Sequence, residues 1–237
     1  MFIRTLTFLF AVILTSSAFA KEQAKIEFYQ QRYQLQNIYQ KQVDNKGDGD
    51  ERIYGTRNFR AVLNGVLYRG GANNKYNKYG VRDNRNPLPN IGLTNLCEEG
   101  FSNSIYLYSL NYNTAPPKVS CRSIDGNHSM NYSQLSAYNS TGLKAIFTTV
   151  KQAITKNTGP VYMHCWNGWH ASGLASALAL RQFCGMSAVD AVNYWDKNTD
   201  GNNTDPNFAP IRQAIRDFVP MVEFKISLDD RERICPN

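Results

Sequence analysis

Apolar residues follow two kinds of spacing along this chain, one typical of buried strands and the other of amphipathic helices. An Asn64-Gly65 turn signal separates two strand-like runs within residues 58–71 and predicts a β-hairpin. Further strands are predicted at 104–110, 119–124 and 161–163, and helices at 91–99, 132–156, 174–183, 188–195 and 211–218. Strands that alternate with helices predict an α/β fold, with a central, mostly parallel sheet flanked by helices.

The first 20 residues have the pattern of a secretory signal peptide. Arg4 precedes an apolar run from Leu6 to Leu14, and Ala18-Phe19-Ala20 resembles a small-x-small cleavage site. The apolar run is too short to cross a bilayer, and no later segment is apolar enough to do so. We therefore expect an exported protein, periplasmic or secreted, without a transmembrane segment in the mature chain.

The remaining chain divides into an extension and a domain. Residues 21–52 are rich in Gln and Tyr, which favours an N-terminal extension or exposed helix outside the core. The Asp- and Gly-rich stretch 44–50 is typical of a loop at a boundary, so residues 53–237 are predicted to form the domain. The net charge of +7 would favour anionic ligands, but many exported proteins are mildly basic, and this is the simpler interpretation. No run of consecutive basic residues predicts a nucleic-acid partner.

Five cysteines in an exported chain leave at least one free thiol. If four of them form two disulfides, three pairings are open. Proximity along the chain favours Cys97–Cys121 and Cys184–Cys235, which leaves Cys165 as the free thiol.

The segment around Cys165 carries the strongest chemical signal. An apolar run leads into this cysteine, a loop with Gly168 follows, and a helix of small residues begins near Ser172. Backbone N–H groups in such a loop stabilise a thiolate and bind phosphoryl oxygens. Gly168 permits close backbone approach, and the Ser172 hydroxyl can cap the helix and contact the thiolate.

These residues resemble the signature His-Cys-x-x-Gly-x-x-Arg-Ser/Thr-Gly of the protein tyrosine phosphatase superfamily, in the style of its dual-specificity branch. His164, Cys165, Gly168, Ser172 and Gly173 match at the right spacing, whereas Ala171 occupies the arginine position. The resemblance implies a phosphatase-like fold, no required cofactor and attack of Cys165 on phosphorus. It also implies that the loop binds the phosphate through the residues Trp166, Asn167, Gly168, Trp169, His170, Ala171 and Ser172.

The same family uses an aspartate to protonate the leaving oxygen, and Asp125 in Ser123-Ile-Asp-Gly-Asn127 is the predicted equivalent. The alternative is that Asp125-Gly126 is only a turn. A protonated His170, or an arginine such as Arg69 or Arg122, would have to replace the charge lost at Ala171. Two functions therefore stay open. One is a phosphatase that acts on phosphorylated small molecules or proteins, and the other is a pseudophosphatase that only binds them. Thiol-redox or sulfur-transfer chemistry at Cys165 is a third interpretation.

A second loop has oxygen donors at calcium-loop spacing. Asp196, Asn198 and Asp200 are followed by Gly201, and Asn202 adds a carbonyl. Asn207 stands where such a loop needs a bidentate glutamate. A polar connection between helices is therefore the favoured interpretation, and calcium is the alternative.

Overall fold

A computed structural model describes residues 25–35, 37–73, 87–108 and 115–236 of the chain. Six strands form one sheet in the order β1-β2-β6-β3-β5-β4. The strands are β1 (Thr56–Leu63), β2 (Leu67–Ala72), β3 (Asn103–Tyr106), β4 (Lys118–Ser123), β5 (Gly126–Gln134) and β6 (Val161–Cys165). The four central strands are mutually parallel, and β1 and β4 pair antiparallel at the two edges. The predicted α/β fold and the predicted hairpin at Asn64-Gly65 are confirmed.

Helices cover both faces of this sheet. They are α1 (residues 25–33), α2 (Asn90–Glu98), α3 (Ser140–Lys156), α4 (His170–Cys184), α5 (Ala188–Lys197), α6 (Ala209–Asp217) and α7 (Leu228–Ile234). An aliphatic core lies between the sheet and the helices α3 to α7. The other core is aromatic and lies against α1 and α2. No helix in the described part of the chain is both long and apolar enough to span a membrane.

The N-terminal segment belongs to the core, contrary to the prediction of an exposed extension. Ile26, Tyr29 and Tyr33 on α1 are almost fully buried. The Tyr29 hydroxyl donates to the Glu99 carbonyl, and Arg32 pairs with the Glu99 carboxylate. The many glutamines suggested a solvated helix, but these three residues lie on one face, where the two tyrosines pack into the aromatic core and Ile26 into the aliphatic core. The predicted signal peptide lies outside the described residues.

Strand β5 and the short helix α7 were not predicted. The predicted helix over 132–156 begins only at Ser140, where the Asn139 side chain accepts from the Gly142 N–H as an N-cap. The residues before it, Gly126–Gln134, form β5, in which Met130 and Tyr132 point into the core and polar residues intervene. This period-two pattern is largely polar, so it gave a weak strand signal.

Both favoured disulfides are confirmed. Cys97 is bonded to Cys121 and Cys184 to Cys235, and Cys165 is the free cysteine. The first bridge links α2 to the edge strand β4, and the second links the end of α4 to the residue that follows α7. The first bridge ties a helix to the edge of the sheet and the second ties two helices together, and the central thiol stays unpaired.

Candidate active site

Cys165 is the last residue of β6, and α4 begins five residues later at His170. The parallel strands β2, β6, β3 and β5 all end at this edge of the sheet, which is where α/β proteins commonly bind ligands. The Cys165 side chain is 6% exposed, and its sulfur lies 3.5 Å from the Ser172 hydroxyl oxygen. The predicted proximity of thiol and hydroxyl is therefore present. A catalytic role for either group stays a prediction.

The backbone of the loop is held from the side of the hairpin β1–β2. The Trp166 carbonyl accepts from the Ala72 N–H at 3.0 Å. The Asn167 carbonyl accepts from the Asn58 side-chain amide at 2.8 Å. Asn58 itself has a positive φ of 49°, an uncommon conformation for a non-glycine residue, and it is fully buried.

The next three carbonyls of the loop are also bound. The Arg69 guanidinium, on β2, donates from Nη2 to the carbonyls of Gly168 and Trp169. The His170 carbonyl accepts from the Trp195 indole N–H at 3.2 Å. Five successive carbonyls, from 166 to 170, therefore point at protein donors.

This arrangement fixes where the N–H groups point. In a trans peptide the C=O and the N–H of one unit point in opposite directions. The N–H groups of residues 167–171 are thus turned away from the donors that hold the carbonyls, toward the cavity that this loop lines. Consecutive N–H groups at a helix start form a concave site for an anion.

Two glycines of the signature allow this packing. Gly168 has φ of +80°, and a Cβ there would lie 2.5 Å from the Gly70 carbonyl carbon on β2. A Cβ on Gly173 would lie 2.8 Å from the Trp195 ring and 3.3 Å from the Arg69 guanidinium. Both positions therefore need glycine for close approach.

A cavity of about 770 Å³ opens in front of Cys165. Its described lining is aromatic, aliphatic and amide-bearing and includes no Lys, Arg, Asp or Glu: Leu107, Tyr108, Gln134, Leu135, Ser136, Tyr138, Cys165, Trp166, Asn167, Trp169, His170, Ala171, Asn207, Phe208, Pro210 and Ile211. Ala171 lies in this wall where the resembled family has its arginine. Trp166 and Trp169 also line the cavity.

His164 lies beneath the loop as a neutral imidazole. Complete burial lowers the pKa of His164 to about 3. The Leu88 N–H donates to the Tyr132 hydroxyl, and that hydroxyl lies 3.0 Å from His164 Nε2. With Nε2 as acceptor from Tyr132, the imidazole proton is on Nδ1, which faces the Cys165 carbonyl at 3.2 Å. This chain of hydrogen bonds fixes the end of β6.

His170 lies in the cavity wall, next in sequence to the position of the missing arginine. Burial lowers the pKa of His170, so its imidazole is neutral at pH 7. Its Nε2 lies 2.6 Å from the Asn202 carbonyl and is therefore the protonated nitrogen. The ring stacks on Phe208 with centroids 4.0 Å apart. A protonated His170 at the phosphate stays a prediction, and it would require the imidazole to gain a proton against the effect of burial.

Asp125 lies at the wrong end of the sheet for a general acid. It precedes β5, and nine residues of extended strand, about 30 Å, separate it from Gln134 at the Cys165 edge. Its side chain is 68% exposed and pairs with Lys25 at 3.3 Å. Arg122 faces Asn127 across the same hairpin, equally far away. The predicted acid is therefore wrong in position, because the unrecognised β5 carries the chain from one end of the sheet to the other.

The predicted calcium ligands are occupied by protein partners. Asp196 pairs with Arg212 at 2.6 Å, and Asp200 pairs with Lys41 at 2.7 Å. The buried Asn198 side chain donates to a backbone carbonyl. Among the described residues no group of three or more His, Cys, Asp and Glu side chains is placed to hold a metal ion. Calcium binding stays a prediction, and it would require both carboxylates to leave their cations.

Residues 196–202 instead support residues 166–170, the loop that follows Cys165 and is called the Cys165 loop below. The second oxygen of Asp200 accepts from the Trp169 indole N–H at 3.0 Å, and the Asn202 carbonyl accepts from His170. Burial acts to raise the pKa of Asp200, but hydrogen bonds from Lys41 and Trp169 outweigh it and hold the pKa below its usual range. Asp200 is therefore a carboxylate that fixes Trp169.

Sequence reasoning missed the two residues of the hairpin that hold the loop. Asn58 carried no signal beyond its strand-like neighbours. Arg69 was considered only as a cation that enters the site, whereas it binds loop carbonyls from behind. One signal was available for Arg69. Burying an arginine inside an apolar strand costs free energy unless its guanidinium donates to specific acceptors, so such acceptors could have been expected.

No protein-family profile and no curated protein matches this chain. Solved structures with a similar fold include the core catalytic domain of the PP-IP phosphatase SIW14 from S. cerevisiae, in complex with citrate, at 15% identity and a TM-score of 0.43 over 69% of this chain and 86% of that one. TpbA from P. aeruginosa is 16% identical, with a TM-score of 0.40 over 68% and 85%. Tk-PTP in its active form is 15% identical, with a TM-score of 0.36 over 52% and 82%. At these identities and scores the likenesses define neither an activity nor a substrate for this chain.

Proposed function

We propose that this protein binds the phosphate group of a phosphate monoester in the Cys165 loop and has little or no phosphatase turnover. The observation that carries the proposal is the row of five carbonyls bound on one side of the loop, which turns the N–H groups of 167–171 toward the cavity. Such a site binds an anion through peptide dipoles and needs no charged side chain.

Binding is favoured over turnover because the two charged groups of phosphoryl transfer are missing from the described cavity wall. Ala171 has no guanidinium to stabilise the transition state, and a change of this kind reduces rates by about 10²–10⁴. Asp125 is at the opposite end of the sheet. The neutral His170 uses its proton in the hydrogen bond to Asn202.

Slow phosphoryl transfer is the second candidate, and it rests on the free Cys165 thiol beside the Ser172 hydroxyl. In that reaction the sulfur attacks phosphorus, the bond to the leaving oxygen breaks, and water later releases phosphate from the cysteine. Leaving groups that depart without a proton, such as nitrophenolate, would react fastest.

The partner is proposed to be a phosphorylated small molecule or protein outside the cytoplasm. Two disulfides are compatible with an oxidising compartment. The N-terminal sequence pattern supports export to the periplasm or the medium.

Isothermal titration of the disulfide-bonded protein with inorganic phosphate, and with phenyl phosphate, tests the proposal. We expect saturable one-to-one binding that survives in Cys165→Ser. We also expect p-nitrophenyl phosphate turnover below about one per minute, given typical enzyme values near 10 s⁻¹.

Gly126→Ala is the control, because Gly126 also has a positive φ, of +103°, has open space around it and begins β5 at the end of the sheet opposite Cys165. Its phosphate affinity should equal that of the wild type, whereas Gly168→Ala should bind weakly. Absence of phosphate binding by the wild type would overturn the proposal. Turnover near typical enzyme rates that disappears in Cys165→Ser would establish the second candidate instead.

A further inference from the structure

We infer that Arg69 is a positioning residue that aims two peptide N–H groups of the Cys165 loop at the bound oxyanion. The inference rests on the proposed function, because it assigns the residue that prepares that same site. Arg69 lies behind the loop and does not line the cavity.

The contacts of Arg69 determine the orientation of two peptide units. One guanidinium nitrogen, Nη2, donates to the carbonyls of both Gly168 and Trp169. These carbonyls share their peptide units with the N–H groups of Trp169 and His170, so holding the first pair points the second pair the other way. Neither N–H donates to a protein acceptor among the residues that the structure describes.

Glycine-containing loops can rotate a peptide unit at low cost, which makes an anchor necessary. The unit between Gly168 and Trp169 follows a glycine in the left-handed region, at φ of +80°. If it rotated, a carbonyl oxygen would face the anion in place of an N–H. The guanidinium opposes that rotation because freeing the Gly168 carbonyl would remove one of the few acceptors of a fully buried cation, which otherwise has the Trp169 carbonyl and the Tyr194 hydroxyl.

Burying Arg69 costs free energy, and this cost favours a functional role for the residue. Arg69 is fully buried and a second arginine, Arg60, is 1% exposed beside it. The carboxylate of Asp200 pairs with Arg60 at 3.4 Å and also with Lys41. Burial, and then the like charge of Arg69, lower the pKa of Arg60 to about 10. A fold retains two neighbouring buried cations at a cost, and their positive field lies directly behind the anion site.

Arg60 provides a matched control. It is as buried as Arg69 and carries the same charge, but it donates to Asn58 and Asp200 and to no carbonyl of the Cys165 loop. Arg69→Met and Arg60→Met both remove one buried guanidinium and should lower thermal stability to a similar degree. Only the first should release the peptide units of 168–170.

The experiment titrates ¹⁵N-labelled wild type, Arg69→Met and Arg60→Met with inorganic phosphate and follows the amide signals by NMR. In the wild type we expect the Trp169 and His170 amide protons to move downfield as phosphate binds. In Arg69→Met we expect affinity to fall about tenfold or more, with those two signals no longer responding. In Arg60→Met we expect a loss below about threefold and a preserved response.

Equal affinity and equal amide response in wild type and Arg69→Met would overturn the inference and leave the proposed function intact. If the wild type binds no phosphate, the proposed function fails. The inference is then tested by the spectra recorded without phosphate. It requires that the Trp169 and His170 amide signals shift in Arg69→Met and not in Arg60→Met. If Arg69→Met does not fold, Arg69→Lys is read by the same titration. It keeps the buried charge but moves the donor, so an unchanged amide response would overturn the inference.

Discussion

The two sides of the Cys165 loop differ in how they use charge. Behind the loop, the buried Arg69 binds two of its carbonyls, and the Asp200 carboxylate binds the Trp169 indole and pairs with a second buried arginine, Arg60. In front lies a cavity whose described wall has no charged side chain. On the proposed function, the charged residues behind the loop position its peptide dipoles, and those dipoles are the groups that would contact the bound anion.

Placing a guanidinium on the front side should have the largest effect. Ala171→Arg would restore the missing contact, and we expect p-nitrophenyl phosphate hydrolysis to rise by about 10²–10⁴. Ala171→Met fills similar space without charge and should show no gain. Steady-state kinetics measures both variants. If the arginine variant stays as slow as the methionine variant, the uncharged front is not what limits turnover.

Lowering the pH tests the support beneath the Cys165 loop, because it protonates the buried His164. Its pKa of about 3 lies below the unfolded value near 6.5, so the stability tied to the neutral ring is fully present above pH 6.5. That contribution, roughly 5 kcal/mol, should be lost as pH falls from about 6.5 to about 3. Urea unfolding at several pH values should show that the free energy of unfolding depends less on pH in His164→Gln than in the wild type. Parallel dependences in the two proteins would contradict a neutral buried His164.

The contact between the loop and β2 can be isolated with a pair of glycines. Gly168 and Gly201 both have φ of +80°, but only at Gly168 would a Cβ meet backbone, at 2.5 Å from Gly70. We expect Gly168→Ala to lower the free energy of unfolding by about 3 kcal/mol and Gly201→Ala by about 1 kcal/mol. Thermal or urea unfolding gives both numbers. Similar losses would mean that φ, and not the close packing of loop on strand, requires the glycine.

Removing the carboxylate behind the loop should have the smallest effect, with opposite signs on stability and binding. Asp200→Asn keeps an acceptor for the Trp169 indole but leaves Arg60 with less compensation. We expect about 1 kcal/mol less stability and phosphate affinity raised up to about threefold, because the net charge behind the anion becomes more positive. Titration calorimetry at low and high salt checks this. If the phosphate affinity falls in Asp200→Asn, then the hydrogen bond that fixes Trp169 contributes more to binding than the change in net charge behind the anion.

The back of the site was harder to predict than its front. The loop from Cys165 to Gly173 has a local signature, and the hairpin and both disulfides follow from turn chemistry and proximity along the chain. The hydrogen bonds of Arg69 and Asn58 join residues about 100 positions apart, and no local spacing encodes them. Asp125 was misplaced for a related reason. The polar, period-two strand β5 gave a weak signal and was not predicted, so the acid was expected at the wrong end of the sheet.

A crystal structure with tungstate, which mimics phosphate, tests the central claim most directly. The account predicts the anion in front of Cys165, its oxygens within hydrogen-bond distance of N–H groups among residues 167–171, and Arg69 still bound to the carbonyls of Gly168 and Trp169. An anion held instead by a guanidinium that has turned into the cavity, or bound away from the loop, would contradict it.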